Sequence, residues 1–245
     1  MGHRCSLTRD SAQILTDTLS YVKELYSRLL AFVFMRRYTV GGEAKMAYDA
    51  ALAKALDEMK GITPYAVASK SGTDYDGSRF RIPFFDRVFL VYYPEIKVAE
   101  EGNSAPVPQW LEIILLHYLL QANGVSVADE WIAYRQLPGA PLSEFRFVQM
   151  AIDPLLRTLG GDVETFKKAG EAVGGIPITR TGDAAFKFMA LPKIPMACIF
   201  YQGEEGIPSS VNILFDAAAE NYLPTEDLSL LGVYLVGVMR KAKSA

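Results

Sequence analysis

The stretch Ile194 to Tyr201, IPMACIFY, is apolar on both of its alternations. In an extended chain successive side chains face opposite ways, so Met196, Cys198 and Phe200 lie on one side and Ile199 and Tyr201 on the other. A strand of this kind has to be covered on both faces. The next apolar run, Ser210 to Asp216, alternates instead. Val211, Ile213 and Phe215 fall on one side and Asn212, Leu214 and Asp216 on the other. The two runs are expected to pair antiparallel, with Glu204 and Glu205 at the exposed connection.

The rest of the chain supplies what such a strand needs. Apolar residues recur every three or four positions from Asp10 to Phe34, the period of an amphipathic helix, and Gly41-Gly42 interrupts it. EAKMAYDAALAKALDEMKG reads as a second helix ending at Gly61. Short aromatic and β-branched runs at Tyr65 to Lys70, Arg79 to Ile82 and Arg87 to Tyr93, separated by turn residues, predict an antiparallel meander. QWLEIILLHYLLQANG predicts a strongly apolar helix, and Trp131 to Leu137 a further strand. Helices are expected at Ser143 to Leu159 and at Asp162 to Val173, the second capped by Asp162. A strand at Ala185 to Ala190 then precedes IPMACIFY. The last helix, Thr225 to Lys241, carries Leu228, Leu231, Leu235 and Met239 on one stripe. Helices and strands come in blocks with no βαβ alternation, which predicts an α+β fold: a mainly antiparallel sheet flanked by helices, with an extra N-terminal helix. The expected organisation is a helical appendage over 1–42 and one domain over 43–245, with a natural start at Met46 as the competing account of the appendage.

Composition narrows the function classes. Half of the 245 residues are hydrophobic, enough for a substantial core, and the formal net charge of -3 gives no electrostatic case for nucleic acid. Two cysteines, Cys5 and Cys198, cannot frame a zinc site or an iron–sulfur cluster. The most apolar short run, LLAFVFM, falls far below the ~20 residues of a membrane span, and the start does not read as a signal peptide. A cytoplasmic location is the expectation. GDVETFKKAGEAVGG has glycines without the order of a phosphate-binding loop, and no nucleophile elbow or Cys-His signature is present.

IILLHYLLQANG, EWIAYRQLPG and DAAFKFMALPKIPMACIFYQGEEGIPSSVNILFDAAAENYLPTEDL together resemble a family of anaerobic bacteria and archaea, the domain of unknown function three-seven-eight-six. The likeness runs from about Glu43 to Val238. Members often carry a separate cysteine-rich iron–sulfur module, absent here, and some belong to organisms dependent on corrinoid chemistry. The resemblance implies an accessory or ligand-binding protein of anaerobic redox or corrinoid-linked metabolism, with an iron–sulfur or corrinoid protein as partner and a tetrapyrrole as candidate cofactor. Gly206 and Ile207 stand where the family more usually has bulkier or aromatic side chains.

The candidate site residues each carry two readings. Glu204 and Glu205 are either solvated turn residues or, as alternatives to Asp216, a general acid or base with His117 nearby. Asp216, at the end of an apolar strand, needs hydrogen bonds or a cation, and accepts either a ligand or the backbone N–H groups of the segment that follows. His117 shares an apolar stripe with Trp110, Ile113, Ile114 and Gln121. It is expected to be largely buried, neutral and replaceable by Leu, or else to serve as an axial ligand or proton shuttle. Tyr118, Trp131 and Arg135 add aromatic surface and a cation. Thr225, Glu226 and Asp227 are explained as the cap and first turn of the last helix. An adaptor protein, needing only an exposed apolar patch, is the third functional class.

Overall fold

The computed structural model describes residues 41–243, with side chains from 48 to 242. The chain divides into two compact units, 1–50 and 51–245. Of the first, only the start of helix α1 (Gly41–Met59) is described. The helix expected from Asp10 to Phe34 lies outside the described residues.

The 51–245 unit holds two antiparallel sheets and is α+β, as the block arrangement predicts. The first sheet is a meander of β1 (Asp74–Tyr75), β2 (Arg79–Phe84), β3 (Arg87–Tyr92) and β4 (Lys97–Glu100), in that spatial order. The second has the order β5-β9-β8-β7-β6, from β5 (Trp131–Ala133), β6 (Ile176–Pro177), β7 (Ala184–Leu191), β8 (Ile194–Tyr201) and β9 (Ser210–Asp216). The single sheet expected from sequence is therefore two. They meet where the β2–β3 turn reaches β7, the Phe85 N–H donating to the Ala190 carbonyl at 3.1 Å.

Strands β8 and β9 pair antiparallel from Met196↔Phe215 to Tyr201↔Ser210, the register the apolar patterns require. Every residue of β8 except Tyr201 is buried. On one face helix α6 (Val163–Ala172) lays Phe166 against Phe186 and Phe200, with ring centroids 5.5 and 5.4 Å apart. That approach depends on Gly170, where a Cβ would meet the Phe186 ring at 2.5 Å. On the other face Gly182, at φ 60°, leaves no room for a side chain: a Cβ there would stand 2.6 Å from Ile199 Cγ2. The two-sided cover is thus part helix and part glycine loop.

Three local expectations are corrected. Tyr65 to Lys70 belongs to helix α2 (Pro64–Ser71), not a strand. Proline at its first position and Gly72 at φ 68° beyond its end are helix start and stop signals, and they outweigh the β-forming Tyr and Val between them. Trp131 to Leu137 is strand only as far as Ala133, after which Tyr134–Gln136 turn as a 3-10 helix. Ser143 to Leu159 is helical but interrupted: α4 (Glu144–Phe147) and α5 (Asp153–Leu159) flank a π-helical stretch at Val148–Ile152. Pro154 explains the widened turn, since it brings no N–H to an α-helical bond. Asp162 caps α6 as expected, accepting the Thr165 N–H at 2.8 Å.

Candidate functional site

Helix α3 (Gln109–Gln121) is almost wholly apolar and buries Leu111, Ile114, Leu115, Leu116 and Leu119 completely. Helix α7 (Thr225–Lys243) buries Leu228, Leu231, Leu235 and Met239, the whole of its expected stripe. The two helices run antiparallel along a common seam. Trp110, at the start of α3, lies 6.1 Å from Tyr234 between ring centroids, and His117, two turns on, reaches back to Asp227.

The His117 Nδ1 to Asp227 Oδ2 distance is 2.6 Å, across 110 residues of chain. The side chains are 25% and 11% exposed, respectively. A carboxylate accepts and cannot donate, so Asp227 takes the Nδ1–H and the neutral imidazole presents Nε2 as its lone-pair nitrogen. Among the described residues no hydrogen bond to Nε2 is formed. A histidine oriented by a carboxylate through one nitrogen and open at the other is the arrangement found in ligating and acid–base histidines. His117 is therefore neither enclosed nor alone, as its apolar stripe suggested. Its carboxylate is none of the three weighed from sequence.

Asp227 went unrecognised because a carboxylate in the first turn of a helix already has a sufficient explanation in the macrodipole. Thr225 does not cap α7 either. Pro224 precedes the helix and accepts the Leu228 N–H, while the Thr225 hydroxyl donates to the Pro138 carbonyl at 2.7 Å. No spacing within α7 signals the His117 contact, since the partner is on another helix.

The remaining candidates are dispersed. Asp216 is fully buried, and its carboxylate accepts the N–H groups of Ala128, Asp129 and Ala218 at 2.9, 2.8 and 2.9 Å. It fastens the segment before β5 to the end of β9, so the backbone-acceptor reading describes it. The segment bound is partly the preceding one rather than only the one that follows. Glu204 and Glu205 are exposed in a two-residue turn whose ends exchange hydrogen bonds, Glu204 N–H to Ile207 O at 3.0 Å and Ile207 N–H to Glu204 O at 2.9 Å. Gly206 supplies the positive φ of 81°. This turn lies beyond the Ser210 end of β9 and Asp216 at its other end, about 20 Å away at ~3.3 Å per residue. The hairpin keeps these acids from forming one cluster.

Tyr118, one residue beyond His117 on α3, is completely buried. Its hydroxyl donates to the Ser71 carbonyl at 2.5 Å and accepts the Lys193 N–H at 3.1 Å, and burial pushes its pKa up. It joins α2 to the β7–β8 turn. Trp131 is half-buried in β5 with the Lys187 ammonium 5.9 Å from its ring, and Arg135 is exposed in the 3-10 turn. Neither is brought to His117 by the strand pairing, which sets Trp131 opposite Asp216. Cys198 is fully buried in β8, its thiol pKa raised by desolvation.

No helix among the described residues is long and apolar enough to cross a membrane. The family model described as Domain of unknown function (DUF3786) matches residues 63–238. No curated protein and no solved structure matches the chain.

Proposed function

The chain belongs to the DUF3786 family, and from that membership and the α3–α7 seam we propose an accessory, ligand-binding protein of anaerobic redox or corrinoid-linked metabolism whose working atom is His117 Nε2. The supporting observation is the 2.6 Å bond between His117 Nδ1 and Asp227. It fixes the ring and the tautomer in which Nε2 is the nitrogen left open. Among the described residues no group of three or more His, Cys, Asp or Glu side chains could hold a metal ion. Were a tetrapyrrole metal bound, His117 would be the residue to hold it, with Asp227 orienting the ring. A tetrapyrrole metal bound there would supply electron transfer or ligand exchange. The chain's own part is to hold His117 at a fixed angle and to keep its Nδ1 proton on Asp227.

The test is an anaerobic absorbance titration of the purified chain with aquocyanocobinamide, which has no base of its own, and with hemin. The expected result is an imidazole-coordination shift that His117→Ala abolishes and Asp227→Asn weakens by at least about ten-fold. No shift with either probe rejects the cofactor reading.

The same bond supports His117 as a general base with Asp227 as its positioning residue, replacing Glu204, Glu205 and Asp216 in the acid/base scheme. The adaptor reading has its own observation, since Leu142 and Phe145 are 97% and 74% exposed in neighbouring turns. An iron–sulfur or corrinoid partner held through them would be lost from native co-purification with Leu142→Glu/Phe145→Glu. The cobinamide titration would stay unchanged.

A further inference from the structure

The side of α3 turned away from Asp227 borders a cavity of about 260 Å³ between α1, β4 and α3. Leu52 and Leu56 of α1, Ile96 and Val98 at β4, and Leu116 of α3 make its walls aliphatic. The acidic group in it is Glu112. Five positions separate Glu112 from His117, about 140° around the helix at ~100° per residue. The two groups therefore serve different faces of α3, and the argument for one does not lean on the other.

Three observations converge on the cavity. Glu112 has only burial acting on it: desolvation raises its pKa, and no described residue offers a hydrogen bond or an ion pair to its carboxylate. Three other sheltered carboxylates are answered. Glu100 holds Arg87 and Asn103, Asp216 holds three N–H groups, and Asp227 holds His117. Secondly, Ile96 adopts φ 52° while only 8% exposed, a left-handed conformation that a β-branched residue adopts only at a cost. The β3–β4 connection accepts that cost and sets Ile96 in the cavity wall. Thirdly, the volume of about 260 Å³ falls below the ~300 Å³ at which drug-sized sites begin, which limits an occupant to a few heavy atoms.

A half-sheltered carboxylate without a partner, at an aliphatic wall, is complementary to a cation on a short hydrocarbon. From this geometry we infer that the cavity binds a small aliphatic primary amine, its ammonium on Glu112 and its hydrocarbon against Leu52, Ile96 and Leu116. Lys97, exposed at the rim, disfavours a second positive charge at the far end and accommodates a carboxylate there. Monoamines and ω-amino acids, with the carboxylate at the end opposite the ammonium, fit; diamines do not.

The test uses isoamylamine against its uncharged counterpart isoamyl alcohol, added to the full chain labelled at its isoleucine, leucine and valine methyl groups. The expected result is saturable shifts of the Ile96, Val98 and Leu116 methyls with the amine, and binding at least about ten-fold weaker for the alcohol. Glu112→Gln should weaken the amine by the same factor and leave the alcohol unchanged. Leu52→Trp, which keeps the carboxylate but fills the cavity from its rim, should abolish both. His117→Ala should change neither, which separates this site from the His117 reading. Absence of saturable shifts, equal affinity for amine and alcohol, or undiminished amine binding by a folded Glu112→Gln protein overturns the assignment.

Discussion

Two buried aspartates, Asp216 at the end of β9 and Asp227 at the start of α7, differ in what they hold. Asp216 is 0% exposed and spends its oxygens on three backbone N–H groups from two segments of chain. Asp227 is 8% exposed and meets one imidazole. Both are carboxylates at the edge of an apolar element, and burial alone ranks Asp216 as the more unusual. The partners reverse that ranking. Backbone amides have no chemistry to pass on, whereas an imidazole held at one nitrogen has a second nitrogen to offer. Residue type and burial mark where a polar group must be answered, and the identity of the answering group separates scaffold from site.

The sharpest way to break this comparison is to remove the scaffold carboxylate. Asp216→Ala removes the acceptor of three N–H groups and should cost about 4 kcal/mol, a large share of the ~5–15 kcal/mol that holds a domain together. Chemical denaturation should show this as a lower midpoint, and a loss under ~1 kcal/mol would mean that the segment before β5 is held by something else. Next in size is His117→Leu. On the burial argument alone this change should be tolerated, but it leaves Asp227 without its partner, and a loss of about 1–3 kcal/mol is expected. Asp227→Leu in the same chain should recover most of that loss, because two well-packed apolar groups replace the pair. A double-mutant cycle reads the coupling, and additive losses would deny that the two residues interact. The smallest effect belongs to Glu204→Gln/Glu205→Gln. Both side chains are exposed in a turn made by backbone bonds, so thermal unfolding should move by no more than the equivalent of ~0.5 kcal/mol. Cobinamide or amine binding should not move at all. A change in either ligand assay would return the acidic turn to the functional site.

Much of the framework was legible because it rests on local periodicity. The two-sided apolar run of β8, the alternation of β9 and the stripe of α7 each report a face that burial demands, and each is found in place. The α2 segment differs from its strand-like composition because Pro64 and Gly72 at its ends outweigh the β-forming Tyr65 and Val67 between them. The division into two sheets was not legible, since it depends on where the β2–β3 turn touches β7 and no local pattern records that contact. The site was half legible. His117 stood out as an ionisable group on an apolar helix, while Asp227 lay 110 residues away with an adequate local explanation. Glu112 has a local explanation of the same kind. A carboxylate near a helix start satisfies the dipole, and only the walls of the cavity show that it faces hydrocarbon.

The turn at Glu204–Ile207 has a practical consequence. Its ends are tied by two reciprocal backbone bonds and its middle residues, Glu205 and Gly206, face solvent on the rim of a sheet whose core lies elsewhere. An inserted sequence whose own ends lie close together can therefore replace the tip without disturbing β8 or β9. An affinity handle or fluorescent domain placed there, roughly 20 Å from Asp216 by strand length, would let the intact chain be immobilised by its rim. Both faces of α3 would then be left for interrogation by partners and small molecules.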